Sequence, residues 1–431
     1  MRSIKFGLLF VLAMVCSVLS AQNMLKDKLS TMSEIKEFKP LESTVFPEKY
    51  VTYFVQPIDH KNPAMGTFTQ RVYVMHRGFD RPTVIVTEGY GAMYAERPKY
   101  EEEISKLYNT NLIVVEYRYF LESTPQPKDW KYLTVEQSVD DLHAVRNAFK
   151  AIYPNKWIAT GISKGGQTTM FYRTFYPDDV DISVPYVAPL NYGIEDGRHE
   201  PFINNVSTAE DRKKVQDFQL EVLKRRATLQ PMFDEYIADK KLSYSVPLDE
   251  LYDYCVLEYS FAIWQWGVTM DKIPAVTASD KEIFDHWMKQ SDPSNFNREG
   301  YFKSFFVQAA KELGYYGYDT KPFKKYLRLK SAKGWVNRLM LPDELKGVKF
   351  DKAVAQKVTK FLKENDPKMI YIYGSIDPWS ASGVFQWLDL KHKKNLHIFV
   401  QDGGCHATRI GTMPEKEQTQ IKNLLNDWLN E

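Results

Sequence analysis

Apolar residues fall along this chain in three distinct regimes. Between Val51 and Met75 they alternate with polar ones. The alternation breaks at Asp59-His60-Lys61-Asn62-Pro63 and Gly66, which carry turn chemistry, so the segment predicts an antiparallel hairpin. Short, β-branched runs follow: Thr83–Gly89, Asn111–Arg118, Lys156–Gly161 and Ile182–Pro189. A helical pattern from Val135 to Tyr153 separates two of them, with Val139, Leu142, Val145, Phe149 and Ile152 on one face. Buried strands alternating with helices predict a parallel sheet. From about Thr208 to Leu329 the pattern changes to helical periodicity rich in aromatics. A stretch that long is not a loop and predicts an inserted helical domain. Strand-like runs resume at Met369–Ser375 and Asn395–Gly403, and a helix is expected over Glu415–Leu429.

The two ends of the chain set limits. Arg2 and Lys5, the apolar stretch Phe6–Leu19 and the small residues Ser20-Ala21 have the form of a secretory signal. Val15 before Cys16 speaks against a lipid anchor. The expected division is residues 1–21 signal, 22–200 first part of the core, 201–345 helical lid and 346–431 second part of the core, with 22–48 a short polar arm. No later run is long enough for stable membrane insertion. The formal charge of +2 shows no excess that would call for nucleic acid. Beyond Cys16 only Cys255 and Cys405 remain. Export would permit them to pair, but two distant cysteines do not prove a disulfide. No spacing calls for a metal, and no cofactor is expected. Oligomeric state is left open.

The chemistry concentrates at Lys156–Met170. A short strand, a glycine-framed turn and a helix enclose Gly161-Ile162-Ser163-Lys164-Gly165, a G-x-S-x-G pattern. Alone it could be an ordinary Ser/Gly turn. The following strands supply what the chemistry needs, in the order serine, acid, histidine. Asp377 lies just past Met369–Ser375, where an Asp-Pro turn starter is the plainer reading, and His406 lies in the glycine-rich loop after Asn395–Gly403. Ser163, Asp377 and His406 are therefore the expected nucleophile, acid and base. The backbone amides of Lys164 and Tyr90 are the candidate oxyanion donors. The Lys164 side chain is expected to be solvated or paired with a nearby carboxylate.

Further residues carry a resemblance. Phe54-x-Gln56-Pro57-Ile58-Asp59-His60, Thr67-Phe68-x-Gln70-Arg71-x-Tyr73, Glu88-Gly89, Glu116-Tyr117-Arg118-Tyr119 with Glu122-Ser123, and Tyr132-Leu133-Thr134 with Glu136-Gln137 resemble the prolyl carboxypeptidase and dipeptidyl peptidase II group. The chain departs from that group at its elbow, Gly161-Ile162-Ser163-Lys164-Gly165-Gly166, where G-G-S-Y-G-G is usual, and at Glu116-Tyr117, where Glu-His is usual. Its G-x-S-K-G-G elbow and its turn Ser375-x-Asp377-Pro378-Trp379 are more similar to secreted bacterial prolyl tri/tetrapeptidyl aminopeptidases.

The resemblance implies an α/β-hydrolase fold with a helical lid, and peptide substrates with a free N-terminus cut after proline. Such an enzyme needs an aromatic pocket for the proline ring and a carboxylate for the substrate ammonium. Glu258 with Trp264 and Trp266 offers both on one run, which could equally be a buried helix face with one satisfied acid. Glu116 and Glu122 are rivals for the ammonium. Other readings are a carboxylesterase or lipase on the same scaffold, a dipeptidyl peptidase, or a carboxypeptidase using Lys164 or Arg198 for the substrate carboxylate. A binding protein on a dead hydrolase fold is disfavoured by the intact set of three.

Overall fold

A computed structural model describes residues 24–431. The expected signal, residues 1–21, lies outside the described residues. Nine strands form one sheet: β1 (Ile35–Pro40), β2 (Glu48–Pro57), β3 (Thr67–His76), β4 (Thr83–Thr87), β5 (Asn111–Val115), β6 (Trp157–Ile162), β7 (Ile182–Tyr186), β8 (Met369–Gly374) and β9 (Leu396–Gln401). Their spatial order is β1-β2-β3-β5-β4-β6-β7-β8-β9. The pairs β1/β2, β2/β3 and β3/β5 are antiparallel. From β5 to β9 every pair is parallel. This is the α/β-hydrolase fold.

The strand chemistry explains the layering. Successive side chains point to opposite faces. Val84, Leu112, Val114, Ile158, Val184, Ile370 and Ile372 are buried on one face, where Ile421, Leu425 and Trp428 of the last helix cover them. Ile85, Ile113 and Ala159 belong to the opposite face and its much larger core. Each fully buried Ile, Leu or Val contributes about 1.5–3 kcal/mol, so the doubly covered strands are the most firmly held part of the sheet. The helix Val135–Lys150 opens on a Thr134 cap, whose hydroxyl accepts from the Gln137 amide at 3.2 Å.

The polar arm is more structured than its composition implies. Its helix Met24–Ser30 buries Leu25 and Leu29 completely, and β1 pairs antiparallel with β2. In β1 only Ile35 and Phe38 are partly covered, so an edge strand with one thin apolar row leaves no alternation strong enough to read.

Among the described residues, no strand lies between Tyr186 and Met369. That stretch is built from helices, chiefly Ala209–Lys224, Arg226–Asp239, Leu248–Trp266 and Asp280–Gln290. Within the described residues no helix is long and apolar enough to cross a membrane. Cys255 and Cys405 are unpaired, so no disulfide joins the helix Leu248–Trp266 to the loop after β9.

The order β5-β4-β6 places a topological reversal at β4, because the chain leaves β4 first to one side and then to the other. Loops at the carboxyl ends of such strands part and leave a crevice. The turns after β4 and β6 therefore meet side by side.

Candidate active site

Ser163 occupies the turn between β6 and the helix Lys164–Phe175, with φ 59° and ψ −119°. This positive φ strains a residue with a Cβ, and the turn is held by the Ser163 amide donating to the Tyr186 carbonyl at 2.9 Å. A Cβ on Gly161 would lie 2.4 Å from the Gly165 carbonyl oxygen, so only glycine lets the helix start so close to the strand.

Asp377 follows β8 and is fully buried. Its Oδ1 accepts from the Trp379 amide at 3.1 Å, and its Oδ2 lies 2.7 Å from His406 Nδ1. His406 follows β9, and its amide donates to the Gln265 carbonyl at 2.9 Å, so the end of the helix Leu248–Trp266 grips the histidine loop. Three other histidines are engaged elsewhere. His60 pairs with Asp141 and His143 with Asp179. His199 is buried beneath the acid turn, with Nδ1 3.0 Å from the Pro378 carbonyl, and burial lowers its pKa to about 4.

Ser163 and His406 line one cavity of about 480 Å³. Tyr90, Phe305, Tyr315, Tyr316 and Trp379 wall it with aromatic rings. Trp266, 58% exposed, stands at its mouth with its ring edge-on to His406, centroids 5.9 Å apart. Two carboxylates face the cavity, Glu88 and Glu258. Glu258 accepts from the Tyr316 hydroxyl at 2.9 Å and from the Tyr318 hydroxyl at 2.7 Å. Burial raises its pKa to about 7, although those two bonds pull the other way. Burial also pushes Glu88 up, while the Tyr94 hydroxyl and the amides of Gly89 and Tyr90 draw it back.

Four expected roles change. Glu116 is buried away from the cavity and forms a two-pronged pair with Arg71, at 2.9 and 2.6 Å, with further bonds from the Ser123 hydroxyl and the Ala92 amide. It anchors β5 to β3 and has no carboxylate oxygen free for an ammonium. Trp264, on the helix Leu248–Trp266, is buried and lines a separate cavity of about 250 Å³. Arg198 pairs with Asp196 at 2.6 Å, which occupies the cation a carboxypeptidase reading would need. The Lys164 side chain is neither solvated nor ion-paired. It is buried, and its Nζ donates to the Gly89 carbonyl. Cutting the Glu116 pair should be costly. Glu116→Gln leaves the Arg71 guanidinium buried with only Glu96 and Glu122 nearby at 3.5 and 3.4 Å, so a loss of about 3 kcal/mol in urea denaturation is expected.

Tyr316, Tyr318 and Glu88 were not legible as site residues. The run Gly314-Tyr315-Tyr316-Gly317-Tyr318, with two tyrosines between glycines and a third just after, was the signal that could have found the first two.

The family model for PS-10 peptidase S37 matches residues 21–430. The chain belongs to this family. Peptidase S37 membership makes it a serine peptidase acting on peptides. A prolyl tri/tetrapeptidyl aminopeptidase of Streptomyces mobaraensis is 29% identical over 425 residues, spanning 96% of this chain and 87% of that protein. Among solved structures, a proline iminopeptidase from Mycobacterium smegmatis is similar with a TM-score of 0.41 and 14% identity, covering 84% of this chain and 96% of that one. An esterase from Pyrobaculum calidifontis is similar with a TM-score of 0.36 and 11% identity, covering 96% and 91%. Within the described residues of this S37 peptidase, no group of His, Cys, Asp and Glu is arranged to hold a metal ion.

Proposed function

We propose that this S37 peptidase is a secreted exopeptidase that releases short peptides ending in proline from the N-terminus of its substrates. The observation that carries the reading is Glu258, a carboxylate held by two tyrosine hydroxyls in the same aromatic-walled cavity as Ser163 and His406. An esterase or lipase would have no use for it. The substrate ammonium pairs with Glu258, the proline ring packs among the aromatic walls, and the carbonyl carbon of that proline sits at Ser163. His406 takes the Ser163 proton as Oγ attacks, then gives it to the leaving amine. Asp377 holds the imidazole in the tautomer that leaves Nε2 free to accept. Water then attacks the acyl-enzyme by the same steps in reverse. The amides of Lys164 and Tyr90 are the oxyanion donors in this scheme. The lid stretch, residues 201–345, closes the cavity over the substrate, and residues 1–21 direct export.

The test compares free-amine Ala-Ala-Pro-anilide, its acetylated form and a nitrophenyl ester. Rapid cleavage of the free amine alone supports the reading. Turnover of the ester alone replaces it with an esterase.

Glu258 also predicts a pH dependence. Its carboxyl titrates near 7, and only the ionised form attracts an ammonium. Hence kcat/KM for the free-amine substrate should fall as pH drops through about 7. Glu258→Gln should remove this preference over the acetylated peptide, a loss of about tenfold to a hundredfold in kcat/KM. A variant that keeps the wild-type ratio of the two substrates would show that another group binds the amine.

A further inference from the structure

The side chain of Lys164 is the unexpected part of the elbow. It is 2% exposed, folds back over the turn that follows β4, and donates from Nζ to the Gly89 carbonyl at 2.5 Å. Three rings enclose the same ammonium. The Tyr117 centroid is 3.3 Å away, Phe120 5.3 Å and Tyr90 5.6 Å. Attraction to the ring faces offsets part of the desolvation of the cation. The stem is packed as tightly as the tip. A Cβ on Gly89 would lie 2.6 Å from both Cβ and Cγ of Lys164, so this approach requires glycine.

The Gly89 carbonyl and the Tyr90 N–H belong to one planar peptide and point in opposite directions. A bond that fixes the oxygen therefore fixes the direction of the N–H. The far side of Tyr90 is fixed as well, because its carbonyl accepts from the Tyr117 amide at 3.1 Å. The amides of Gly89 and Tyr90 already face an oxygen acceptor, the carboxyl of Glu88 at the cavity edge. Ser163, Lys164 and Tyr90 also line a small recess of about 20 Å³ beside the main cavity, room for roughly one oxygen atom. The Lys164 amide is the first of its helix, where no intrahelical acceptor exists.

We infer that Lys164 is a positioning residue whose side chain locks the Gly89–Tyr90 peptide so that its N–H and the backbone amide of Lys164 converge on the oxyanion of acyl transfer. One residue supplies one donor and aims the other. The inference rests on the acyl-enzyme mechanism proposed above. It does not depend on the charge of Nζ. Burial pushes the lysine pKa well down while Glu88 and Glu312 push it up, but a neutral amine still donates to Gly89.

Lys164→Met keeps the stem and removes the donor. The expected result is a fall in kcat of about a hundredfold with little change in KM for Ala-Ala-Pro-anilide. Binding of a tripeptide aldehyde ending in prolinal, whose serine adduct carries the oxyanion, should weaken by a similar factor. Binding of the product Ala-Ala-Pro should not. A lysine that only stabilises the fold would lower the melting temperature and leave the ratio of aldehyde to product affinity at its wild-type value, and that outcome overturns the inference. If Lys164→Met does not fold, Gly89→Ala tests the same peptide, since the added methyl displaces the lysine stem. It should show the same loss of aldehyde over product affinity, and an unchanged ratio again overturns the inference. The nitrophenyl ester forms the same oxyanion without an ammonium. A kcat loss in Lys164→Met on the ester, with a wild-type enzyme indifferent to N-acetylation, would sink the exopeptidase reading and leave the role of Lys164 standing.

Discussion

Replacing Ser163 by alanine is expected to lower kcat for Ala-Ala-Pro-anilide by about 10⁶-fold while leaving the unfolding midpoint where it was. The physical grounds lie in the turn. Its strained φ of 59° is imposed by Gly161, by the packed start of the following helix and by the bond from the Ser163 amide to Tyr186. All of these act on the backbone, and alanine has the same Cβ as serine. Only the half-buried hydroxyl disappears, and with it the nucleophile. Turnover and labelling by a fluorophosphonate should vanish together. A variant that still hydrolysed the anilide would place the chemistry on another residue.

Asp377→Asn should cost about 10⁴ in kcat with substrate affinity nearly unchanged. The two carboxylate oxygens have different tasks. Oδ1 caps the Trp379 amide and Oδ2 faces His406 Nδ1. Asparagine can keep the first bond with its carbonyl oxygen. It then turns an NH₂ toward the imidazole, which must present a lone pair at Nδ1 and carry its proton on Nε2, where the serine proton has to go. The acid turn thus survives while the base is held in the wrong tautomer. Single-turnover kinetics would separate this from a binding defect. A loss of only a few-fold would mean that another acid orients His406.

The parts of this molecule that could be read from sequence are those whose cause is local. Strands β4 to β8 are short apolar runs buried on both faces, β9 is a partly covered edge strand of the same kind, and each announces itself within half a dozen residues. The placement of Ser163, Asp377 and His406 could be anticipated because each sits just beyond such a strand, where the topology makes strand ends converge. What could not be read depends on partners distant in the chain. Glu116 looks as available as Glu88 in sequence. Only the pairing of β3 with β5 brings Arg71 onto it and takes it out of play. Trp264 and Trp266 differ by two helix positions, about 200° of rotation, so one faces the second cavity and the other the mouth of the active site. The cage around Lys164 draws on Tyr90, Tyr117 and Phe120 from two loops, and no spacing within the elbow reveals it.

The bond from the His406 amide to the Gln265 carbonyl has a consequence for engineering. The histidine loop takes one of its anchors from the inserted helices instead of from the sheet that carries the serine and the acid. The helical region is therefore not an exchangeable module. A chimera that received the helical region of a relative, even with every cavity residue matched, would lose registration of His406 unless the carbonyl at the end of that helix arrived in the same place. Grafts made to broaden substrate range in this scaffold should carry the segment ending at Gln265-Trp266 together with the loop around His406 as one inseparable unit.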